Sequence, residues 1–165
     1  MAQLETALRQ RHPGSVVVNA SISGDTSAGG RRRLPRLLER HKPDLLIIEL
    51  GGNDGLRGYP TAQLRDNLAE MIAAGRDAGA QVLLLPMEIP PNYGPRYTRA
   101  FREAFASAAA EAGATLGPFP LQEVATDPQL MQDDGIHPTA QAQPLIAAQV
   151  LPAVERLIGD AAGAP

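Results

Sequence analysis

The stretch DLLIIEL, residues 44–50, carries four aliphatic residues in a row. Such a run is typical of a parallel strand buried on both faces, because a strand with one wet face alternates apolar and polar residues. Comparable runs occur at SVVVNAS (residues 15–21), AQVLLLPM (residues 80–87) and ATLGPF (residues 114–119). The sequence therefore predicts four strands of a parallel sheet.

Apolar residues at helical spacing fill the intervals between these runs. The helical pattern covers residues 27–41, 61–78, 95–112 and 139–158, and a further pattern on Leu4, Ala7 and Leu8 opens the chain. Thr61 and Thr139 are predicted N-caps, and Gly79 and Gly113 are predicted helix ends.

The composition permits one ordinary hydrophobic core, since the chain has 165 residues of which 44% are hydrophobic. The alternation of strands and helices predicts a single doubly wound α/β domain over residues 1–158, with a flexible tail at residues 159–165. Cysteine is absent from the sequence. Its absence excludes disulfides, thiolate zinc sites and a cysteine nucleophile.

Charge and hydropathy argue against two kinds of partner. The formal net charge is −3, and the one dense basic run, Arg31 to Arg33, lies within a helical pattern. A nucleic-acid-binding protein would show an extended basic surface. No stretch reaches the roughly 18 consecutive apolar residues of a membrane span. We therefore expect neither nucleic acid as a partner nor stable membrane insertion.

In a doubly wound sheet, functional side chains gather beyond the carboxyl ends of the strands. The loop DDGIHP, residues 133–138, places Asp134 three residues before His137. Asp134 can accept the imidazole N–H, which leaves the other ring nitrogen free to take a proton from a hydroxyl. A plain alternative stays open, in which Asp134 caps a turn and His137 is a surface residue. His12 and His41 offer no ligand pair at usable spacing, so no metal site is predicted.

Two further loops contain groups that can stabilise a negative oxygen. Gly24 in SISGD can offer a backbone N–H, and Asn53 in GGND a side-chain amide, to one developing oxyanion. Each is also explained as an ordinary turn residue. Asp25 and Asp54 are predicted to brace these loops through local N–H groups. Neither glycine pattern of a phosphate-binding loop occurs, so the glycines do not predict a nucleotide site.

Together these stretches resemble the SGNH (GDSL-type) hydrolases, and within them the thioesterase I/lysophospholipase L1/arylesterase branch. The resemblance runs through VVNASISGDTS, ELGGNDGLRG, PPNYGPRY and MQDDGIHP, in the family's order. It implies a three-layer, flavodoxin-like fold, with Gly24 and Asn53 in an oxyanion hole and Asp134 and His137 as acid and base of a Ser-His-Asp triad. The activity it implies is hydrolysis of acyl esters or thioesters, such as aryl esters, acyl-CoA and lysophospholipids, without metal or organic cofactor.

The family's first motif, Gly-Asp-Ser, does not occur in this sequence. In the family that motif follows a first strand and carries the serine nucleophile, so we expect the natural protein to be longer and to contain it upstream. The alternatives are a deliberate truncation or an inactive remnant that binds acyl ligands or a partner through the same cleft. Ser21 and Ser23 do not lie on a strand-to-helix turn that exposes a nucleophile. We therefore expect little or no activity from the 165 residues alone.

A missing first strand also has a structural consequence. In the family's strand order it would lie between residues 15–21 and 44–50, and its loss leaves about 9 to 10 Å between them, two strand spacings. Each backbone group left buried and unpaired costs about 1 to 3 kcal/mol. We expect either that the flanking strands close up and move Gly24 relative to Asn53, or that the chain is unstable.

Candidate substrate contacts follow from loop position. Leu56, Ile89, Pro90, Pro91 and Tyr93 are candidate contacts for an acyl chain in an open apolar groove. Ordinary loop packing is an equal explanation for them. We expect a small-molecule acyl ester or thioester as the partner, and a monomer for the complete protein. The compartment stays open: periplasmic or secreted if a full-length precursor has a signal, cytoplasmic if no signal exists.

Overall fold

The computed structural model describes residues 2–162, in which helices and strands alternate along most of the chain. In chain order the elements are α1 (Ala2–Arg11), α2 (Ser27–His41), β1 (Leu45–Ile48), α3 (Gly52–Leu56), α4 (Thr61–Asp77), β2 (Gln81–Leu84), α5 (Pro95–Ala112), β3 (Thr115–Leu116) and α6 (Gln143–Ala162). Short 3-10 helices occupy Pro91–Tyr93 and Ala140–Ala142.

The sheet has three parallel strands in the order β1-β2-β3. Leu45 of β1 is in register with Gln81 of β2, and Leu83 of β2 with Thr115 of β3. The predicted α/β class with a parallel sheet is confirmed. Each observed strand lies inside a predicted apolar run and is shorter than that run.

Helices cover both faces of the sheet. Because side chains alternate along a strand, successive residues of β2 enter opposite layers. Val82 and Leu84 pack against α2, α4 and α5, whereas Leu83 packs against α1 and α6. All three residues are 4% exposed or less. The core is therefore centred on β2, and burial on both faces accounts for its unbroken aliphatic sequence.

The helix ends differ from prediction at the two threonines. Thr61 is the first residue of α4, and the capping position before it is Pro60, which makes no side-chain cap. Thr139 precedes the second 3-10 helix without capping it. Its hydroxyl instead donates to the carbonyl of Leu130. At the other end of α5, Gly113 takes the left-handed conformation at φ 75° and donates to the carbonyl of Ala109, as predicted.

The prediction of a strand at residues 15–21 is wrong. These residues form no regular element, and Val16 and Val18 are 85% and 47% exposed. A strand needs a hydrogen-bonded neighbour, and in the described part of the chain β1 pairs with β2 alone. Val17 packs inward against the α1/α6 layer. The segment is therefore a loop that packs on the core through the side chain of Val17, and it does not pair with β1.

The C-terminal helix α6 extends to Ala162, beyond the predicted domain end at residue 158. The predicted flexible tail, residues 159–165, thus begins within a helix, and its last three residues lie outside the described residues. Between residues 2 and 162 no helix combines the length and the apolar character needed to cross a membrane.

Candidate active site

The loop that contains Asp134 and His137 is fixed by hydrogen bonds between its two arms. The backbone N–H of Gln132 donates to the carbonyl of His137 at 2.7 Å, and that of Thr139 donates to Leu130 at 2.8 Å. Below these arms lies a small cluster of buried side chains: Val124, Met131 and Ala142. The loop is therefore closed like a hairpin by backbone hydrogen bonds, and it packs on a small hydrophobic cluster separate from the main core.

Asp134 is held at the turn of this loop. Gly135 adopts φ 64°, a conformation that side chains disfavour, and its N–H donates to the carbonyl of Gln132 at 2.8 Å. This turn brings the N–H groups of Ile136 and His137 to Oδ1 of Asp134, each at 2.9 Å. The second oxygen, Oδ2, is left for the imidazole.

His137 Nδ1 lies 2.7 Å from Asp134 Oδ2. An ionised carboxylate only accepts hydrogen bonds, so the ring hydrogen belongs on Nδ1 and Nε2 keeps its lone pair. The backbone N–H of His137, the bond to its side chain and the N–H of Ile136 lower the pKa of Asp134 from 3.8 to about 2. Asp134 is therefore ionised at neutral pH, and the pair has the arrangement of a general base with its orienting acid.

Asn53 and Gly24 are joined through the backbone beside Gly24. Nδ2 of Asn53, in α3, donates to the carbonyl of Asp25 at 3.0 Å. Nη2 of Arg57 donates to the carbonyl of Gly24 at 3.3 Å. The amide of Asn53 has a second hydrogen, and in residues 2–162 neither this hydrogen nor the N–H of Gly24 has a hydrogen-bond partner. Both predicted oxyanion donors are thus available.

The Gly24 loop is braced from the side of α2. Asp25 accepts from the N–H of Thr26 at 2.9 Å and from Nε of Arg33 at 2.8 Å. Arg33 also donates to the carbonyl of Ala20 at 2.6 Å. Thr26 caps α2 by accepting from the N–H of Gly29. The prediction that Asp25 bonds a local N–H is confirmed.

A buried polar cluster beneath this loop was not predicted. Asp54, Ser27 and Asn67 are 4%, 0% and 3% exposed, and they are hydrogen-bonded to one another. Asp54 was expected to bond N–H groups of its own loop, but its partner is 27 positions earlier in the chain. A polar residue at an inward position of a helix, such as Asn67 between apolar Leu64 and Met71, is the sequence signal that could have found it.

The predicted substrate contacts fall into two groups. The hydroxyl of Tyr93 donates to the carbonyl of Leu56 at 2.8 Å, and Pro90 and Pro91 lie at the start of the neighbouring 3-10 helix. Ile89 is 8% exposed and belongs to the core. The structure therefore places Ile89 in loop packing, the alternative explanation left open for it.

Tyr93 also lines a surface cavity of about 460 Å³. The other lining residues are Thr61, Gly94, Pro95, Arg96, Tyr97 and Ala100. None of the four predicted catalytic and oxyanion residues lines this cavity. It lies at the start of α4 and α5, where Tyr97 donates to the carbonyl of Tyr59 at 2.7 Å.

The structure thus assembles two pairs, Asp134 with His137 and Gly24 with Asn53. No hydrogen bond in the described residues links one pair to the other. Ser21 and Ser23 are exposed, and neither is bonded to His137. The described side chains also form no cluster of three or more metal-binding residues.

The sequence matches the model of the GDSL-like lipase/acylhydrolase family over residues 1–144. The arylesterase of Vibrio mimicus is 46% identical over 144 residues, which cover 87% of this chain and 72% of the relative. Esterase TesA of Pseudomonas aeruginosa is 54% identical over 142 residues, covering 86% of this chain and 71% of the relative.

Solved structures give the same assignment. A crystal structure of TesA matches with a TM-score of 0.91 and 51% sequence identity, covering 94% of this chain and 87% of that one. The fold is that of an SGNH-type hydrolase. The chain belongs to the GDSL-like lipase/acylhydrolase family.

Proposed function

We propose that this chain supplies the base, the orienting acid and the oxyanion donors of an enzyme that hydrolyses acyl esters or thioesters. The observation that carries the proposal is the Asp134–His137 pair. Nδ1 of His137 lies 2.7 Å from Asp134 Oδ2, and with the ring hydrogen on Nδ1, directed at the carboxylate, Nε2 can accept a proton. The relatives named arylesterase and esterase TesA support the same reaction class.

In the proposed reaction, Nε2 of His137 takes the proton of a serine hydroxyl while that oxygen attacks the acyl carbonyl. The N–H of Gly24 and the free amide hydrogen of Asn53 donate to the oxygen that becomes negative. His137 then returns the proton to the leaving alcohol or thiol, and an acyl-enzyme forms. Water, activated by the same imidazole, releases the carboxylic acid. Asp134 stabilises the imidazolium at each stage.

The serine is the one group that the proposal does not assign to a described residue. Ser27 is unsuited because it is fully buried and its hydroxyl is already hydrogen-bonded to Asp54. Ser21 and Ser23 are exposed, but from residue 2 onward no strand precedes the loop on which they lie. By the family resemblance, the nucleophile is the serine of a Gly-Asp-Ser motif.

The loops after β1 and β2 support an acyl chain as part of the substrate. We assign acyl-chain contacts to Leu56, Pro90, Pro91 and Tyr93, which are at least partly exposed. Ile89 supports these contacts from the core. An apolar lining of this kind favours medium or long acyl chains through burial of methylene groups, about 0.8 kcal/mol for each.

A second function is favoured by one observation. In the described residues the ring of His137 is hydrogen-bonded to Asp134 alone, and no serine approaches it closely enough to bond. This arrangement suits a protein that binds acyl ligands between the same loops without turning them over. The two functions differ in whether an activated serine exists.

A fluorophosphonate probe tests the choice, because it labels serines only when a base activates them. The purified chain is treated with the probe, labelling is read by intact mass and peptide mapping, and hydrolysis of p-nitrophenyl octanoate is followed in parallel. Labelling and turnover that both vanish in His137→Ala support the hydrolase. Stabilisation of a folded chain by octanoate, with neither labelling nor turnover, supports the binding function.

Asp133→Asn is the matched control for His137→Ala and for changes at Asp134. Asp133 is an exposed carboxylate of the same loop and makes none of the hydrogen bonds to His137. Its loss should leave labelling and turnover unchanged. A decline equal to that of His137→Ala would show that the assay reports loop damage rather than loss of the base.

A further inference from the structure

Asp54 is a buried carboxylate without a cation. Its residue is 4% exposed, and no Lys, Arg or His forms an ion pair with it among residues 2–162. A carboxylate in this position needs hydrogen-bond donors for its charge. Ser27 supplies two of them: its backbone N–H donates to Oδ2 at 2.8 Å and its hydroxyl donates to Oδ1 at 2.5 Å.

Ser27 is in turn held by a third residue. Nδ2 of Asn67 donates to the Ser27 hydroxyl oxygen at 2.9 Å, which fixes the direction of the hydroxyl hydrogen toward Asp54. Ser27 begins α2, Asp54 lies in α3 and Asn67 lies in α4. The three residues therefore tie three helices together at one buried point.

This point is close in sequence to both predicted oxyanion donors. Ser27 follows Gly24 by three residues, and Asp54 follows Asn53 by one. The network thus ties together the two backbone segments that carry Gly24 and Asn53. On the side facing the loop, the contact between Asn53 Nδ2 and the carbonyl of Asp25, at 3.0 Å, joins the same two segments.

We propose that Asp54 is a positioning residue, which acts through Ser27 to set the distance between the Gly24 N–H and the Asn53 amide. The inference rests on the proposed function of those two groups. The carboxylate matters because Oδ1 and Oδ2 each accept from one donor of Ser27, whereas a carboxamide has one acceptor oxygen and one donor nitrogen. The N-terminal end of α2 adds a favourable field for the negative charge.

Asp54→Asn tests this requirement with almost no change of shape. The asparagine keeps one acceptor oxygen, and its NH₂ takes the place of the other, so the hydrogen bonds between residue 54 and Ser27 must rearrange. The first measurement is the ¹H–¹⁵N spectrum of the folded chain, which resolves the Asn53 side-chain NH₂ and the Gly24 N–H without any turnover. We expect both signals to move in Asp54→Asn.

Two variants separate positioning from simple loss of stability. Asp66→Asn removes an exposed carboxylate on α4 and should leave both signals in place. Leu157→Ala lowers stability from the opposite face of the sheet and should also leave them in place.

Ser27→Ala keeps the backbone donor but loses the hydroxyl, so it should move the signals less than Asp54→Asn. Unchanged Asn53 and Gly24 signals in Asp54→Asn would overturn the proposal.

Steady-state kinetics then tests whether the positioning of the two oxyanion donors affects catalysis. If Asp54 acts through the oxyanion donors, Asp54→Asn lowers kcat with little change in KM, by up to the 10²- to 10³-fold loss expected from removing one donor. The double variant Asn53→Ala/Asp54→Asn should be no slower than Asn53→Ala alone. Independent, multiplying losses would contradict the proposal. Absence of turnover in the unaltered chain counts against the hydrolase only, because the spectra decide the positioning role separately.

Discussion

His137 and Asp134 make a 2.7 Å contact although their side chains are 67% and 45% exposed. The pair is ordered by its own loop rather than by burial. Two N–H groups hold one carboxylate oxygen, and the turn at Gly135 aims the other at the ring. Because solvent reaches the pair, it screens the charge of Asp134, whose electrostatic effect on the imidazole is therefore weaker than in a closed site.

In a protein that also carries the serine of the Gly-Asp-Ser motif, Asp134→Asn should reduce kcat/KM for p-nitrophenyl esters by about 10²- to 10⁴-fold. The two N–H groups at Oδ1 require an acceptor there, so the new NH₂ must face His137. The imidazole then accepts at Nδ1 and carries its hydrogen on Nε2, where it cannot act as a base. Asp133→Asn, which leaves these bonds intact, should keep full activity; equal losses in both variants would refute this explanation.

The protonation of Asp134 should occur near pH 2, well below the ordinary value of 3.8. Because the folded-state pKa is lowered, the loop is stabilised at pH values above the unfolded-state pKa. This contribution is lost as the pH falls from about 4 through 2. A titration of the Asp134 side-chain carbon by NMR measures the midpoint directly.

The same titration in His137→Ala provides the internal comparison. That variant keeps the N–H groups of residue 137 and Ile136 at Oδ1 but loses the imidazole. The pKa of Asp134 should therefore rise above that of the unaltered protein and stay below 3.8, since the backbone donors remain. A midpoint at 3.8 in the unaltered protein would show that the described loop is not formed in solution.

Phe101→Ala should cost about 3 to 5 kcal/mol of unfolding free energy. Phe101 is fully buried, and its ring meets that of Phe105 edge to face at 5.2 Å between centroids. Urea denaturation measures the change. Leu145→Ala, at a residue 48% exposed on α6, is the comparison and should stay within about 0.5 kcal/mol. Similar losses in the two variants would mean that α5 is not packed as described.

Gly51→Ala should be more destabilising than Gly58→Ala. Both glycines have positive φ, 118° and 68°, so each substitution strains the backbone, by about 1 to 3 kcal/mol. At Gly51 a methyl group would also lie 2.9 Å from Leu64 Cδ1 and 3.0 Å from Phe105 Cζ, whereas at Gly58 it meets nothing within 4 Å. Urea denaturation of both variants gives the difference, and a larger loss for Gly58→Ala would contradict this order.

Local sequence predicted the helices better than the strands. The bounds of α2 and α5 agree with the predicted 27–41 and 95–112, because apolar periodicity and the capping chemistry at Thr26 and Gly113 are local properties. Residues 15–21 have the β-branched composition of a strand but lack a partner. Pairing is a long-range property, so composition alone could not decide it.

The same distinction applies to the candidate site. The contact between Asp134 and His137 spans three residues and was visible in the spacing of DDGIHP. The link between Asp54 and Ser27 spans 27 residues, and nothing in the GGND loop specifies it. Asp25 accepts a hydrogen bond from its sequence neighbour Thr26, as predicted. Asp54 instead accepts from Ser27, which only the folded chain brings close to it.

The outer edge of β1 makes protein concentration an experimental variable. Leu45–Ile48 carries neither charge nor proline, the features by which edge strands usually discourage pairing with other chains. If two copies of the chain paired along this edge, the apparent stability of the fold would rise with protein concentration. Melting temperatures and specific activities of this chain should therefore be compared only at matched dilution, and a series of dilutions should accompany each variant.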